Sequence, residues 1–268
     1  MADIVEIELW RLLMAYIFLV LLLVITWRMG IGREKEIIFS TFRMTVQLIV
    51  MGYVLVAVFD ANHLLISLGI LALMEIFAIR NIYSRIKVKI NQKLRRVIAL
   101  AMLFGTGIPI FFFLIVVINV DPWYEARYFI PIGGMMIGNS MTGIALGAER
   151  LINGMRAGRE WVEGALMLGA TPYHASKTVV NDAFNAAIMP SINSMVGMGI
   201  VFLPGMMVGQ ILSGVSPLVA IDYQIAIMLG IVGSVSLTIF MLLQFGYKTF
   251  FNQRSQVELG EKEVVRSQ

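Results

Sequence analysis

Seven apolar runs, near residues 9–29, 37–59, 62–80, 97–120, 128–148, 187–212 and 219–245, constrain this chain more than any other feature. Each approaches the roughly 20 residues that an α-helix needs to cross a hydrocarbon core. Inside a bilayer no water satisfies the backbone, so runs of this length must become helices. Of the 268 residues, 59% are hydrophobic and only 14% charged, which a water-soluble domain could not bury. The expected fold is therefore all-α and integral to the membrane, with about seven transmembrane helices in one domain, residues 1–245. A charged tail, 246–268, is expected to be mobile because it offers no apolar face. The acidic start, MADIVEIELWR, lacks the basic residues of a signal peptide, so the first run reads as a retained span.

Charge placement predicts orientation. Arg28, Arg33 and Lys35 follow the first run; Arg80, Arg85, Lys87, Lys89, Lys93, Arg95 and Arg96 lie between the third and fourth. Arg150, Arg156, Arg159 and Lys177 lie in the segment 149–186, and Lys248, Arg254, Lys262 and Arg266 in the tail. These segments hold 18 of the 21 Lys and Arg residues, and seven spans put them all on one side. The positive-inside rule then gives an outer N-terminus and a cytoplasmic C-terminus, in the cell inner (plasma) membrane. The net charge of +4 is explained by this bias, and nucleic acid is not an expected partner.

The segment 149–186 is the one cytoplasmic stretch long enough for structure of its own. Within EGALMLGATPYHASKTVV, Glu163, Gly164 and Ala165 belong to a helical stretch that Gly169 can end, followed by Ala170. Thr171 and Pro172 can start the next helix. Small residues on such a turn let another protein approach the backbone, and Glu163 offers a charge to a basic groove. The same residues also fit a plain return between two spans, since E-x-A-x-x-x-G is a weak signal by itself.

EGALMLGAT resembles the EAA-type coupling segment of ABC transporter permeases, which seats a cytoplasmic helix in an ATPase subunit. Glu163, Ala165, Gly169 and Ala170 match it; Gly164 replaces the usual first Ala. The importer-type Pro that should follow is late, arriving only at Pro190. RMTVQL (43–48), GNSMTGIAL (138–146), INSMVGMGIVFLPGMMVGQILSG (192–214) and YQI (223–225) resemble the FetB-type permease family. These are bacterial iron exporter subunits with plant relatives linked to aluminium tolerance. The resemblance implies a permease that exports iron or another metal, driven by two copies of a separate ATPase and paired with a second copy of itself. Nucleotide-sugar transport, suggested for some plant members, is the alternative substrate class.

The chain itself has no expected cofactor. Gly133–Ser140 nearly fits G-x-x-x-x-G-K-S, but Asn139 stands where the phosphate-binding Lys belongs. ATP and Mg are therefore expected in the partner.

Polar residues within spans mark pairs or pathways by default. Arg43 and Glu75 lie at similar depth, roughly 7 to 10 Å from the cytoplasmic side at 1.5 Å per residue, so an ion pair is expected, with Gln47 one turn from Arg43. It serves either as an interhelical clasp or as part of a substrate path. Asn139, Asn193 and Gln210 are further pathway candidates. Pro204 and Gly205 predict a helix break, while Gly205 with Gly209, Gly134 with Gly138, and Gly143 with Gly147 have the spacing of close helix packing.

There are 19 methionines and no cysteine. Met195, Met198, Met206 and Met207 cluster in the sixth run, and Met135, Met136 and Met141 in the fifth. Thioethers suit Cu(I) better than iron, but Met also fills apolar helices, and packing is the expected role. His63 and His174 fall outside the spans, so the metal ligands remain unknown. A seven-span receptor would fit the topology but has no use for an EAA-like segment. No paired carboxylates or nucleophile with a base suggests a membrane enzyme.

Overall fold

A computed structural model describes residues 7–61, 63–86 and 90–258. Lys87 and Lys89 of the expected basic loop, and tail residues 259–268 with Lys262 and Arg266, lie outside the described residues. Ten α-helices follow in order: α1 (Leu9–Ala15), α2 (Ile17–Arg28), α3 (Glu34–Ala61), α4 (Leu64–Arg85), α5 (Gln92–Phe112), α6 (Ala126–Ala157), α7 (Arg159–Met167), α8 (Pro172–Gly197), α9 (Gly205–Leu212) and α10 (Pro217–Gly246). A π-helical turn, Phe113–Ile118, extends α5 beyond Pro109. A 3-10 turn, Tyr247–Phe250, extends α10.

Among the described residues, six helices are long and apolar enough to span: Leu9–Arg28, Glu34–Ala61, Leu64–Arg85, Gln92–Ile118, Ala126–Ala157 and Pro217–Phe250. The sixth run, 187–212, is not a seventh continuous span. It divides between the end of α8 and the short α9, with a non-helical segment at 198–204. The break begins at Met198, ahead of the Pro204–Gly205 pair that marked it in the sequence. Pro204 is the N-cap of α9, so it closes the break.

The core is built on α6, which packs against α4, α5, α8 and α10. Phe129, Met136, Ile144, Leu151 and Met155 along α6 are fully buried. Close approach requires missing side chains. A Cβ at Gly105 of α5 would lie 2.6 Å from the Thr238 backbone of α10, so only Gly fits that crossing. Gly143 and Gly147 likewise meet Val235 and Ala187, as their spacing predicted. Gly138, Gly205 and Gly209 have nothing within 4 Å of a would-be Cβ, so they serve no packing inside this chain. Buried hydroxyls link the crossing: Ser234 Oγ donates to Gly105 O at 3.2 Å and lies 3.1 Å from Ser140 Oγ.

Three of the four basic segments converge. Asn91 at the start of α5 donates to Thr249 O at 3.2 Å, and Tyr173 at the start of α8 stacks edge-on with Tyr247 at 6.0 Å. The ends of α6 and α10 meet the start of α5 where Gly246 faces Leu94 and Leu151. The opposite end joins the start of α4 to the loop before α6 through Ser67 Oγ and Tyr124 O. The first residues of the expected tail pack on the bundle: Tyr247, Phe250 and Phe251 are buried, and Phe251 bridges to Val257. Three aromatic side chains supply the apolar face that the charged residues of the tail hid from a composition reading.

Candidate functional site

Most of the segment 149–186 is helical. α6 runs to Ala157, α7 begins at Arg159, and α8 takes over at Pro172. Between α7 and α8 the chain makes a sharp elbow. Gly169 has φ +89°, its N–H donates to Leu166 O, and the Ala170 N–H donates to Ala165 O, both at 3.0 Å. This is a Schellman C-cap, whose left-handed position favours Gly. Thr171 Oγ1 then caps α8 by accepting from the His174 N–H, with Pro172 at the first helical position. The helix, stop and restart expected from Gly169, Thr171 and Pro172 are therefore present.

Val162, 2% exposed, fastens α7 to the bundle. The other side of the elbow carries Trp161, Met167 and Leu168, which are 86%, 86% and 91% exposed. Large exposed apolar side chains of this kind mark protein or membrane contact sites. None of the three stood out in the sequence, although Trp161 and the adjacent pair Met167–Leu168 beside Gly169 were a signal. Glu163 is not a free charge, because its Oε1 accepts from Arg159 Nε at 2.8 Å one turn earlier. Beside the elbow, Arg254 and Val257 of the tail form the far wall of a groove of about 790 Å³ that also touches Glu163, Gly169 and Thr171. Gly164 and Ala165 lie within α7 and add little bulk to it, and a Cβ at Gly164 would meet nothing within 4 Å.

The intramembrane ion pair does not form. Glu75 is buried in α4, and its Oε1 accepts from the Thr106 hydroxyl of α5; Oε2 has no hydrogen-bond partner. Arg43 is exposed on α3, with its guanidinium 5.1 Å from the Phe77 ring centre, and Gln47 is exposed beside it. Equal depth placed Arg43 and Glu75 at one level, but α3 barely touches the bundle and Glu75 turns inward toward α5. The Glu75 carboxyl forms part of the wall of an apolar cleft of about 780 Å³ between α4 and α5.

The other pathway candidates do not come together. Asn139 is exposed and donates back to Met135 O at 2.8 Å, Asn193 is exposed on α8, and Gln210 is half-buried on α9. Gly133–Ser140, the Walker-like run, lies wholly within α6, so it cannot wrap a phosphate. A pocket of about 400 Å³ does open at the helix break, lined by Met195, Met198, Met207 and Met228. Neither Asn139 nor Gln210 lines it. Among the described residues no group of three His, Cys, Asp or Glu side chains could hold a metal.

The family model described as "Uncharacterised protein family (UPF0014)" matches residues 9–251. UPF0014 membrane protein YjkA of Bacillus subtilis is 33% identical over 247 residues, covering 91% of this chain and 96% of that protein. The probable iron export permease protein FetB of Escherichia coli is 30% identical, with 92% and 93% covered. Protein ALUMINUM SENSITIVE 3 of Arabidopsis thaliana is 31% identical, with 91% and 88% covered. No solved structure matches the chain.

Proposed function

The chain belongs to the UPF0014 family, and we propose that it is the permease subunit of an ATP-driven ABC transporter that exports iron or another metal ion. The observation that carries this reading is the α7–α8 elbow. Helix α7 and the Schellman turn that ends it display Trp161, Met167 and Leu168, while Val162 ties the same helix to the core. A displayed apolar face contacts lipid or a partner, and its place on the EAA-like segment favours a partner. A motor subunit does, because it must grip a stiff element to push.

Helix α8 gives the push a direction. It starts at the elbow and runs 26 residues, about 39 Å at 1.5 Å per residue, to the break at Met198. Its first half belongs to the segment expected in the cytoplasm and its second half to the sixth apolar run, so one rod joins the elbow to a break within the seventh span. Broken helices at apolar pockets are where many transporters bind their substrates. With the convergent basic ends inside, the N-terminus is outside, the C-terminus is cytoplasmic, and the split α8–α9 region crosses as the seventh span.

ATP and Mg reside in a separate ATPase, present in two copies against two copies of this chain, in keeping with the EAA-like segment and the absence of a phosphate loop. Metal export is supported by the name of the Escherichia coli relative. Inverted membrane vesicles containing this chain and its candidate ABC ATPase should accumulate radiolabelled iron when ATP is added. Gly169→Trp and Glu163→Arg, both at the elbow, should abolish accumulation while ATP hydrolysis persists. Equal accumulation in both variants would remove the elbow from the mechanism.

A further inference from the structure

From the walls of the pocket at the helix break we infer a thioether site for a soft monovalent cation, Cu(I) or Ag(I), formed by Met195, Met198, Met207 and Met228. These residues come from the end of α8, the break, α9 and α10, so only the folded chain brings them together. The break is shaped by its own hydrogen bonds: Gly199 N–H donates to Phe202 O at 3.0 Å and Val201 N–H to Gly197 O at 2.9 Å. Irregular backbone in an apolar segment is tolerated where it lines a cavity, and here it does.

The pocket methionines differ from those of the core. Met102, Met136 and Met155 are fully buried in the core and act as filler. The four at the break instead border open space of about 400 Å³. Gln224 is the one polar side chain lining that space, and it is itself buried. Its Nε2 donates to Met198 Sδ at 3.8 Å, which orients a sulfur that would otherwise be free to rotate. Orientation of a ligand atom by a neighbouring donor is typical of built metal sites.

The donor set selects the ion. The chain has no thiolate, and neither histidines nor carboxylates line this pocket. Thioethers bind Cu(I) and Ag(I) well and hard divalent ions poorly. Apolar walls reinforce this choice, since the cost of desolvation rises steeply with charge and the site offers no anion. The inference rests on the permease reading for passage of the ion across the membrane, but not for its binding.

The test is equilibrium binding of Ag(I) to the purified chain in detergent, followed by X-ray absorption of the Cu(I) form. The wild type should retain Ag(I) with a sulfur-dominated shell. Met207→Leu/Met228→Leu, which conserves volume and so preserves folding, should lose it. Gln224→Leu should weaken retention about tenfold. Met14→Leu/Met44→Leu, on the exposed helices α1 and α3, should retain the ion fully. Equal Ag(I) retention by wild type and Met207→Leu/Met228→Leu, both folded, would overturn the site. Retained Ag(I) with neither Ag(I) nor iron accumulating in ATP-energised vesicles would uphold the site and strike the permease reading instead.

Discussion

The N-terminal helices α1–α3 and the helix α6 are both membrane spans, yet they are used in opposite ways. Only 6% of the spanning stretches of α1–α2 and of α3 is buried inside the chain, against 56% of α6, although α6 is the least apolar of the six. Apolarity in a membrane therefore marks what can face lipid or a partner, while burial follows small side chains and hydroxyls. Gly105, Gly143, Ser140 and Ser234 hold the bundle together. The Val, Leu and Ile residues of α2 and α3 hold little within it.

The sharpest way to break this contrast is a bulky residue at a glycine crossing. Gly105→Val puts a side chain into the Thr238 backbone and should abolish recovery of folded chain, measured by monodisperse yield in detergent. A smaller effect is expected at the buried carboxyl. Thr106→Val removes the hydroxyl from Glu75 Oε1 and should cost about 1–3 kcal/mol, seen as a lowered Tm. Arg43→Ala on α3 should leave Tm nearly unchanged; equal losses from the two would restore the ion pair expected from sequence. Gly169→Ala forces a side chain into a left-handed turn and should cost about 1 kcal/mol. The smallest effect belongs to Gly52→Val on α3, where nothing lies within 4 Å, and thermal stability should shift by less than about 0.5 kcal/mol.

The features legible in the sequence were those fixed locally. A span needs only its own apolar length, and the elbow needs only Gly169, Thr171 and Pro172, whose preferences act over a few residues. The features missed depend on which way a helix turns. Arg43 and Glu75 share a depth, but depth does not tell that Glu75 faces α5 and Thr106. Pro204 marked a break whose start, at Met198, is set by the turn from Gly197 to Phe202. Met198 and Met228 are thirty positions apart in chain order, so their meeting at one pocket is tertiary and invisible to spacing. The aromatic anchors Tyr247, Phe250 and Phe251 were obscured by the charges that surround them.

Whether a motor subunit grips the α7–α8 elbow can be measured directly, because the chain has no cysteine. A single cysteine introduced as Leu168→Cys, at a position 91% exposed, is crosslinked in membranes carrying the candidate ABC ATPase. A gripped elbow gives a crosslinked permease–ATPase product whose yield changes when ATP is trapped, and no such product from Leu48→Cys on the exposed face of α3. Crosslinking from Leu48→Cys but not from Leu168→Cys would contradict it.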